Sequence, residues 1–157
     1  MIQREKRFHE LTAEELYRIL KLRVDVFVVE QNCPYPELDG LDREALHLWL
    51  EEDSEILAYL RVMDKGAESP DVSIGRVVTK RRRQGLGTRI LQEGIRAARE
   101  AFGAERIYLE AQTYAAGLYE KQGFRRISGE FPLDGIPHVK MLLDCGAEAR
   151  PGKETPC

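Results

Sequence analysis

The sequence predicts an α/β domain on a mixed sheet, in the order β-α-β-β-β-α-β-α-β-β. Three observations predict it. The apolar period switches repeatedly between two and 3.6 residues along the chain. Three extended segments follow one another between the first two helical ones, which a purely parallel βαβ repeat would not contain. A β-branched segment also runs through a basic turn and paired glycines into an amphipathic stretch, IGRVVTKRRRQGLGTR from Ile74 to Arg89.

Taken in order, Arg7 to Leu11 reads as a short strand. Thr12 is a helix N-cap, and Glu15 three residues later completes a capping box. Leu16, Ile19, Leu20, Val26 and Phe27 share one helical face, with Arg23 as a polar interruption. Gln31 to Asp42 (QNCPYPELDGLD) holds two prolines and an Asp-Gly, and reads as a loop. Ala45–Glu51 and Ile56–Met63 flank the polar pair Asp53-Ser54 and form a hairpin. Asp71 to Thr79 is the next strand, and Gly75 inside it suggests a bulge. From Gly85, the residues Leu86, Ile90, Leu91, Ile95, Ala98 and Phe102 make one apolar helical stripe. Arg106 to Ala111 is a strand, and Thr113 to Gln122 a short helix that Gly123 ends. Phe124–Ser128 and Pro137–Leu143 are the last strands.

A chain of 157 residues suits one domain, assigned to residues 1–145. The tail 146–157 (GAEARPGKETPC) has no period, two prolines and two glycines, and is expected to be disordered. Lys plus Arg number 24 against 27 Asp plus Glu, a net charge of −3 that argues against a nucleic-acid partner. Cys33, Cys145 and Cys157 form no CxxC pair, so neither a metal site nor a disulfide framework is expected, and a reducing compartment is. No signal-like start and no run of about 18 apolar residues occurs, so no membrane partner is expected and the cytoplasm is the expected location.

The segment from Ile74 to Arg89 carries the chemistry. Gly85 and Gly87 let backbone approach a ligand without Cβ obstruction. The helix start behind them offers unsatisfied N–H groups and a positive dipole end, an anion site. Lys80, Arg81, Arg82 and Arg83 surround it with positive charge. No GxxxxGK[ST] occurs, and Ile90 stands where a dinucleotide fingerprint needs its third glycine. A diphosphate or a phosphorylated ribose is the expected guest.

Arg82-Arg83-Gln84-Gly85-Leu86-Gly87 matches the [QR]xxGx[GA] signature of the GNAT superfamily of N-acetyltransferases. Ala116 to Phe124 (AGLYEKQGF) resembles its second motif. FVVEQNCPY from Phe27, Asp39-Gly40-Leu41-Asp42, Leu46-His47-Leu48-Trp49 and DGIPHV from Asp134 resemble the ElaA-like branch. The resemblance spans about Phe8 to Leu143. It implies a central sheet of about six to seven strands flanked by helices on both faces. The activity it implies is transfer of an acetyl group from acetyl-CoA to an amine of a small molecule or protein, by direct attack in a ternary complex. An acyl-CoA-binding sensor without turnover is the alternative.

The resemblance also implies roles for particular residues. Val77 and Val78 would meet the pantetheine arm and the thioester carbonyl, and a backbone N–H there would stabilise the oxyanion. Arg82, Arg83, Gln84, Gly85, Leu86, Gly87 and Thr88 would hold the diphosphate. Tyr119 would protonate the departing thiolate. An acceptor amine of pKa near 10.4 is neutral about one part in 2,500 at pH 7, a penalty of roughly 4–5 kcal/mol that a base in the pocket relieves. Glu30 and His138 are the candidates for base or substrate contact, with Glu110 behind them. His47 and Trp49 are assigned to opposite faces of one strand, Trp49 to the core and His47 to the acceptor cleft. Asp39 and Asp42 read as turn caps rather than a cation site. Cys33 is placed near the cleft without an activating neighbour, so no nucleophile is assigned. Edge strands leave pairing into a homodimer open.

Overall fold

The computed structural model describes residues 1–80 and 85–145. The expected diphosphate contacts Arg82, Arg83 and Gln84, and the tail 146–157, lie outside the described residues. Among the described residues no helix is long and apolar enough to cross a membrane.

The first strand, β1 (Ile2–Arg7), lies earlier than expected, and Phe8–Glu10 form a single 3-10 turn where the strand was anticipated. It is an edge strand held by its backbone ladder to the next one, from Ile2 opposite Glu51 to Arg7 opposite Leu46. Its polar residues therefore show no apolar period to read. Thr12 caps α1 (Ala13–Arg23) as expected: its Oγ1 accepts from the Glu15 N–H at 3.0 Å, and the Glu15 carboxylate accepts from the Thr12 N–H at 2.9 Å. The helix then widens into a π-helical segment, Val24–Glu30, with the N–H groups of Gln31 and Cys33 reaching back five residues to Val26 and Val28.

The hairpin joins β2 (Leu46–Glu52) to β3 (Glu55–Met63) through Asp53 and Ser54, both with positive φ, a type I′ pattern that suits the twist of the strands. Next come β4 (Val72–Thr79), α2 (Leu86–Phe102) and β5 (Arg106–Gln112). A 3-10 turn at Thr113–Ala115 leads into α3 (Ala116–Glu120), closed at Gly123 with φ 98°. Two short strands, β6 (Arg125–Arg126) and β7 (Phe131–Leu133), precede the long β8 (Ile136–Asp144). The sheet is mixed, in the order β1-β2-β3-β4-β5-β8-β6, with β7 also on β8.

Its two faces are packed differently. On one, the α2 stripe of Leu86, Ile90, Leu91 and Ile95 meets Leu48, Leu60, Ile74 and Leu109 in an apolar core. Contact is close enough that a Cβ at Gly94 would stand 2.8 Å from Leu60 Cδ2. Burying each large apolar side chain contributes about 1.5–3 kcal/mol. On the other face, Ile19, Leu22 and Val26 cover Trp49, Tyr59 and Val78.

Two features of β4 make the site. Its parallel pairing with β5 lasts only for Val72 with Ile107 and Ser73 with Tyr108, after which the strands part. Against β3, Arg61 faces Gly75 while Tyr59 faces Val78, so β4 bulges between them. The bulge sits one residue beyond the expected Gly75: Arg76 takes the left-handed conformation, φ 53°. A bulge shifts the alternation of faces. Ile74 therefore points to α2, whereas Val78, four residues on, joins the core under α1.

Candidate active site

The parting of β4 and β5 opens a cleft of about 480 Å³. One end is the start of α2, where Gly85, Gly87 and Thr88 line it. Gly85 is the N-cap with φ 72°, and among the described residues no side chain caps the helix, which leaves the first-turn N–H groups for an anion. Leu86 reaches this region only through its backbone, since its side chain is buried in the core with Ile90. Along the middle run Arg76, Val77, Val78 and Thr79. The edge of β4 facing β5 has no strand partner beyond Ser73, which leaves backbone donors and acceptors for a ligand.

Tyr119 lines the cleft from α3, 7% exposed, with its ring edge-on to Phe124 at 6.0 Å. Burial, and to a lesser degree the neighbouring Tyr114, pushes its phenol above the ordinary range. It therefore keeps its proton through neutrality and can act as a donor.

His138 stands on β8, opposite Gln112 of β5, and lines the same cleft. Its Nδ1 lies 2.7 Å from the Ile136 carbonyl. A carbonyl only accepts, so Nδ1 carries the hydrogen and Nε2 is left as the basic nitrogen. Glu110 also lines the cleft, accepting from the Tyr108 hydroxyl at 2.7 Å. Cys33 lines it too, with its thiol 3.4 Å from the Asp134 carbonyl.

Two sequence expectations change. Glu30 is exposed at the end of the π-helical segment and is not among the cleft-lining residues, because the wider turns point Val26 and Phe27 inward instead. His47 is fully buried away from the cleft: Nε2 donates to the Asp42 carbonyl at 2.9 Å and Nδ1 accepts from the Tyr59 hydroxyl at 2.7 Å. Burial holds its pKa below the usual imidazole value. Nor do His47 and Trp49 lie on opposite faces, since residues two apart on a strand share one, here the α1 face.

The largest surprise is ionic. Arg23, on the helix face read as apolar, is wholly buried, with Nε 2.7 Å from Glu37 and Nη1 2.7 Å from Asp42. Arg61 of β3 joins Asp42 (2.9 Å), Asp39 (2.5 Å) and Glu68 (3.0 Å). Arg76 adds an ion pair with Glu37 and another with Asp39 at 3.2 Å. Asp39 keeps its expected turn role as well, accepting from the Leu41 N–H at 3.0 Å. The loop after α1 is thus fastened over the sheet beside the cleft. Alongside Arg76, sequence reasoning missed Tyr108 and the pair Gln31–Gln112, whose amides bond at 3.2 Å across the cleft. The broken alternation Val72, Ile74, Val77, Val78 was a signal for the bulge. Nothing local marks the glutamine pair, 81 residues apart. Among the described residues no group of three His, Cys, Asp or Glu side chains could hold a metal ion.

A parted strand pair, a bulged strand and a glycine-led helix start thus lie along one cleft. Residues 11–145 match the family model described as "Acetyltransferase (GNAT) domain". The chain belongs to the GNAT acetyltransferase family, in its ElaA-like branch. It is 48% identical over 139 residues to a UPF0039 protein of Mycobacterium tuberculosis, covering 85% of this chain and 86% of that one. It is similar to the crystal structure of an acyl-CoA N-acyltransferase from Pseudomonas aeruginosa, with TM-score 0.85, 38% identity and coverage of 91% and 99%. The crystal structure of Escherichia coli ElaA superposes with TM-score 0.84 at 30% identity, covering 92% and 100%.

Proposed function

We propose that the protein transfers an acetyl group from acetyl-CoA directly to an amine of a small molecule or protein, both substrates being bound at once. The observation that carries this reading is the continuity of the cleft from the first turn of α2, past the β4 bulge, to Tyr119 and His138. The first-turn amides near Gly85, Gly87 and Thr88 receive the diphosphate, with Leu86 contributing only backbone. The pantetheine arm takes the place of the missing strand beside β4. A backbone N–H at Val77 or Val78 meets the thioester oxygen and stabilises its developing charge.

His138 Nε2 accepts the proton that the acceptor amine must lose, directly or through water. The amine nitrogen then attacks the thioester carbon. As the C–S bond breaks, Tyr119 donates its proton to the leaving sulfur, which departs as the thiol of coenzyme A. The pK of Tyr119, raised by burial, suits a donor that must not ionise early.

Thiol release and calorimetry test the reading. Tyr119→Phe is expected to lower kcat about 10²- to 10⁴-fold while acetyl-CoA affinity stays within twofold. Unaltered turnover removes Tyr119 from the chemistry. Failure of the wild type to bind acetyl-CoA overturns the whole reading. Binding without thiol release across a broad amine and peptide screen favours the sensor.

A further inference from the structure

Arg76 is a non-glycine residue in the left-handed region, at the bulge that the cleft is built around. Strained backbone persists only where its surroundings over-determine it, and it concentrates at working sites. The chain places glycine at position 75, with no positive φ, and a long cationic side chain at the strained position next to it. The side chain itself is therefore the feature to explain.

Strand pairing does not hold the bulge. On one side β5 has already left after Ser73, and on the other the β3 ladder passes from Arg61–Gly75 to Tyr59–Val78 across it. The Arg76 guanidinium, by contrast, reaches from the bulge to the loop after α1. Nη2 donates to the Glu37 carbonyl at 2.8 Å and to Asp39 Oδ2 at 3.2 Å, Nε is ion-paired with the Glu37 carboxylate, and the cation lies 5.8 Å from the Tyr35 ring centre. These anchors are anchored in turn. Glu37 is gripped by Arg23 from α1, and Asp39 by Arg61 from β3. A chain of fixed charges thus runs from the two rigid elements, through the loop, to the bulge.

We propose that Arg76 is a positioning residue: clamped by Glu37 and Asp39, it holds the β4 bulge in the backbone geometry that aims the Val77 amide into the cleft while Val78 stays in register with Tyr59 of β3. The role follows from where the strain, the lost pairing and the clamp coincide. It rests on the acetyl-transfer reading for its effect on rate, though not for its effect on the backbone. Coenzyme A without an acetyl group keeps its diphosphate contact at the start of α2, away from the clamp, so most of its affinity is expected to survive loss of the clamp.

Arg76→Gly separates clamp from strain, because glycine relieves the left-handed conformation while deleting the guanidinium. In the free protein, the Val77 and Val78 amide resonances are expected to shift while those of the α2 core stay put. Turnover of acetyl-CoA is expected to fall ten- to a hundredfold in kcat, with coenzyme A affinity within threefold. Arg76→Lys, a second variant should the glycine protein fold poorly, is expected to recover part of the rate, since one ammonium can meet only some of the same acceptors. Unmoved Val77 and Val78 amides, or Arg76→Gly turnover within twofold of wild type, overturn the proposal. So does a loss of kcat matched by an equal loss of coenzyme A affinity, which marks a merely structural role. Should the wild type bind no acetyl-CoA, the acetyl-transfer reading fails while the amide shifts still decide on the clamp.

Discussion

The two faces of the sheet share apolar packing, but among the described residues only one of them adds a buried ionic cluster. Under α2 the contacts are apolar side chains in close packing, including the fully buried Leu48, Leu60, Ile90 and Leu91. Under α1 and the loop that follows it, three guanidiniums meet four carboxylates, with Arg23 and Arg61 almost wholly removed from water. A buried ionic cluster is poor evidence of stability, since desolvation offsets much of the attraction. It does fix geometry, because each guanidinium fork donates to carboxylates only in a few directions. The apolar packing on both faces therefore supplies folding energy. The ionic cluster supplies placement, and Arg76 carries it to the edge of the cleft.

Deleting one partner from each face sharpens this contrast. Arg23→Met is expected to cost about 3–5 kcal/mol, read by denaturant unfolding, because Glu37 and Asp42 are left buried and short of a cation. A loss under 1 kcal/mol would mean the cluster is solvated in solution. Ile90→Ala on the other face is expected to cost about 2–5 kcal/mol, generally below the arginine loss, by transfer and cavity terms alone. Since the two sites lie on opposite sides of the sheet, the double variant should be additive within about 0.5 kcal/mol.

The ionic face should also respond to pH where the apolar one does not. Burial alone would raise the Asp39 and Asp42 carboxyls. Hydrogen bonds from Arg61 to Asp39 and from Arg23 to Asp42 outweigh it and hold both below the usual range. A depressed carboxyl contributes stability that is present above its unfolded pKa, about 3.9, and is lost as pH falls through the folded value. His47, kept neutral by burial, adds a loss that sets in below its unfolded value of about 6.5. The melting temperature should therefore decline gently from pH 6.5 and more steeply below pH 4. In Arg23→Met the steep limb should shrink. The smallest effect is at the helix start: Gly85→Ala, at φ 72°, should cost about 1–2 kcal/mol or less in stability while weakening coenzyme A binding.

Much of the fold was legible locally. The Thr12–Glu15 capping box, the Asp53-Ser54 hairpin, the α2 stripe and the Gly123 stop are each written within a few residues, and each is present. β1 was misplaced because an exposed edge strand draws on backbone pairing rather than apolar alternation. In the cleft, Gly85, Gly87, Thr88, Tyr119 and His138 were legible through motifs whose chemistry depends on residue type and spacing. Glu30 and His47 were not, since their direction depends on a π-helical widening and on a strand face covered by α1.

The sequence by itself determined most of the elements, the start of α2 behind Gly85 and the family, because periodicity, caps and glycines act over a handful of neighbouring residues. Only the tertiary structure decided which way β4 turns its side chains after residue 75, and what Arg23, Arg61 and Arg76 are for. Those outcomes depend on carboxylates from a loop and on a strand that leaves its partner early, contacts between residues too distant in the chain for any local pattern to record.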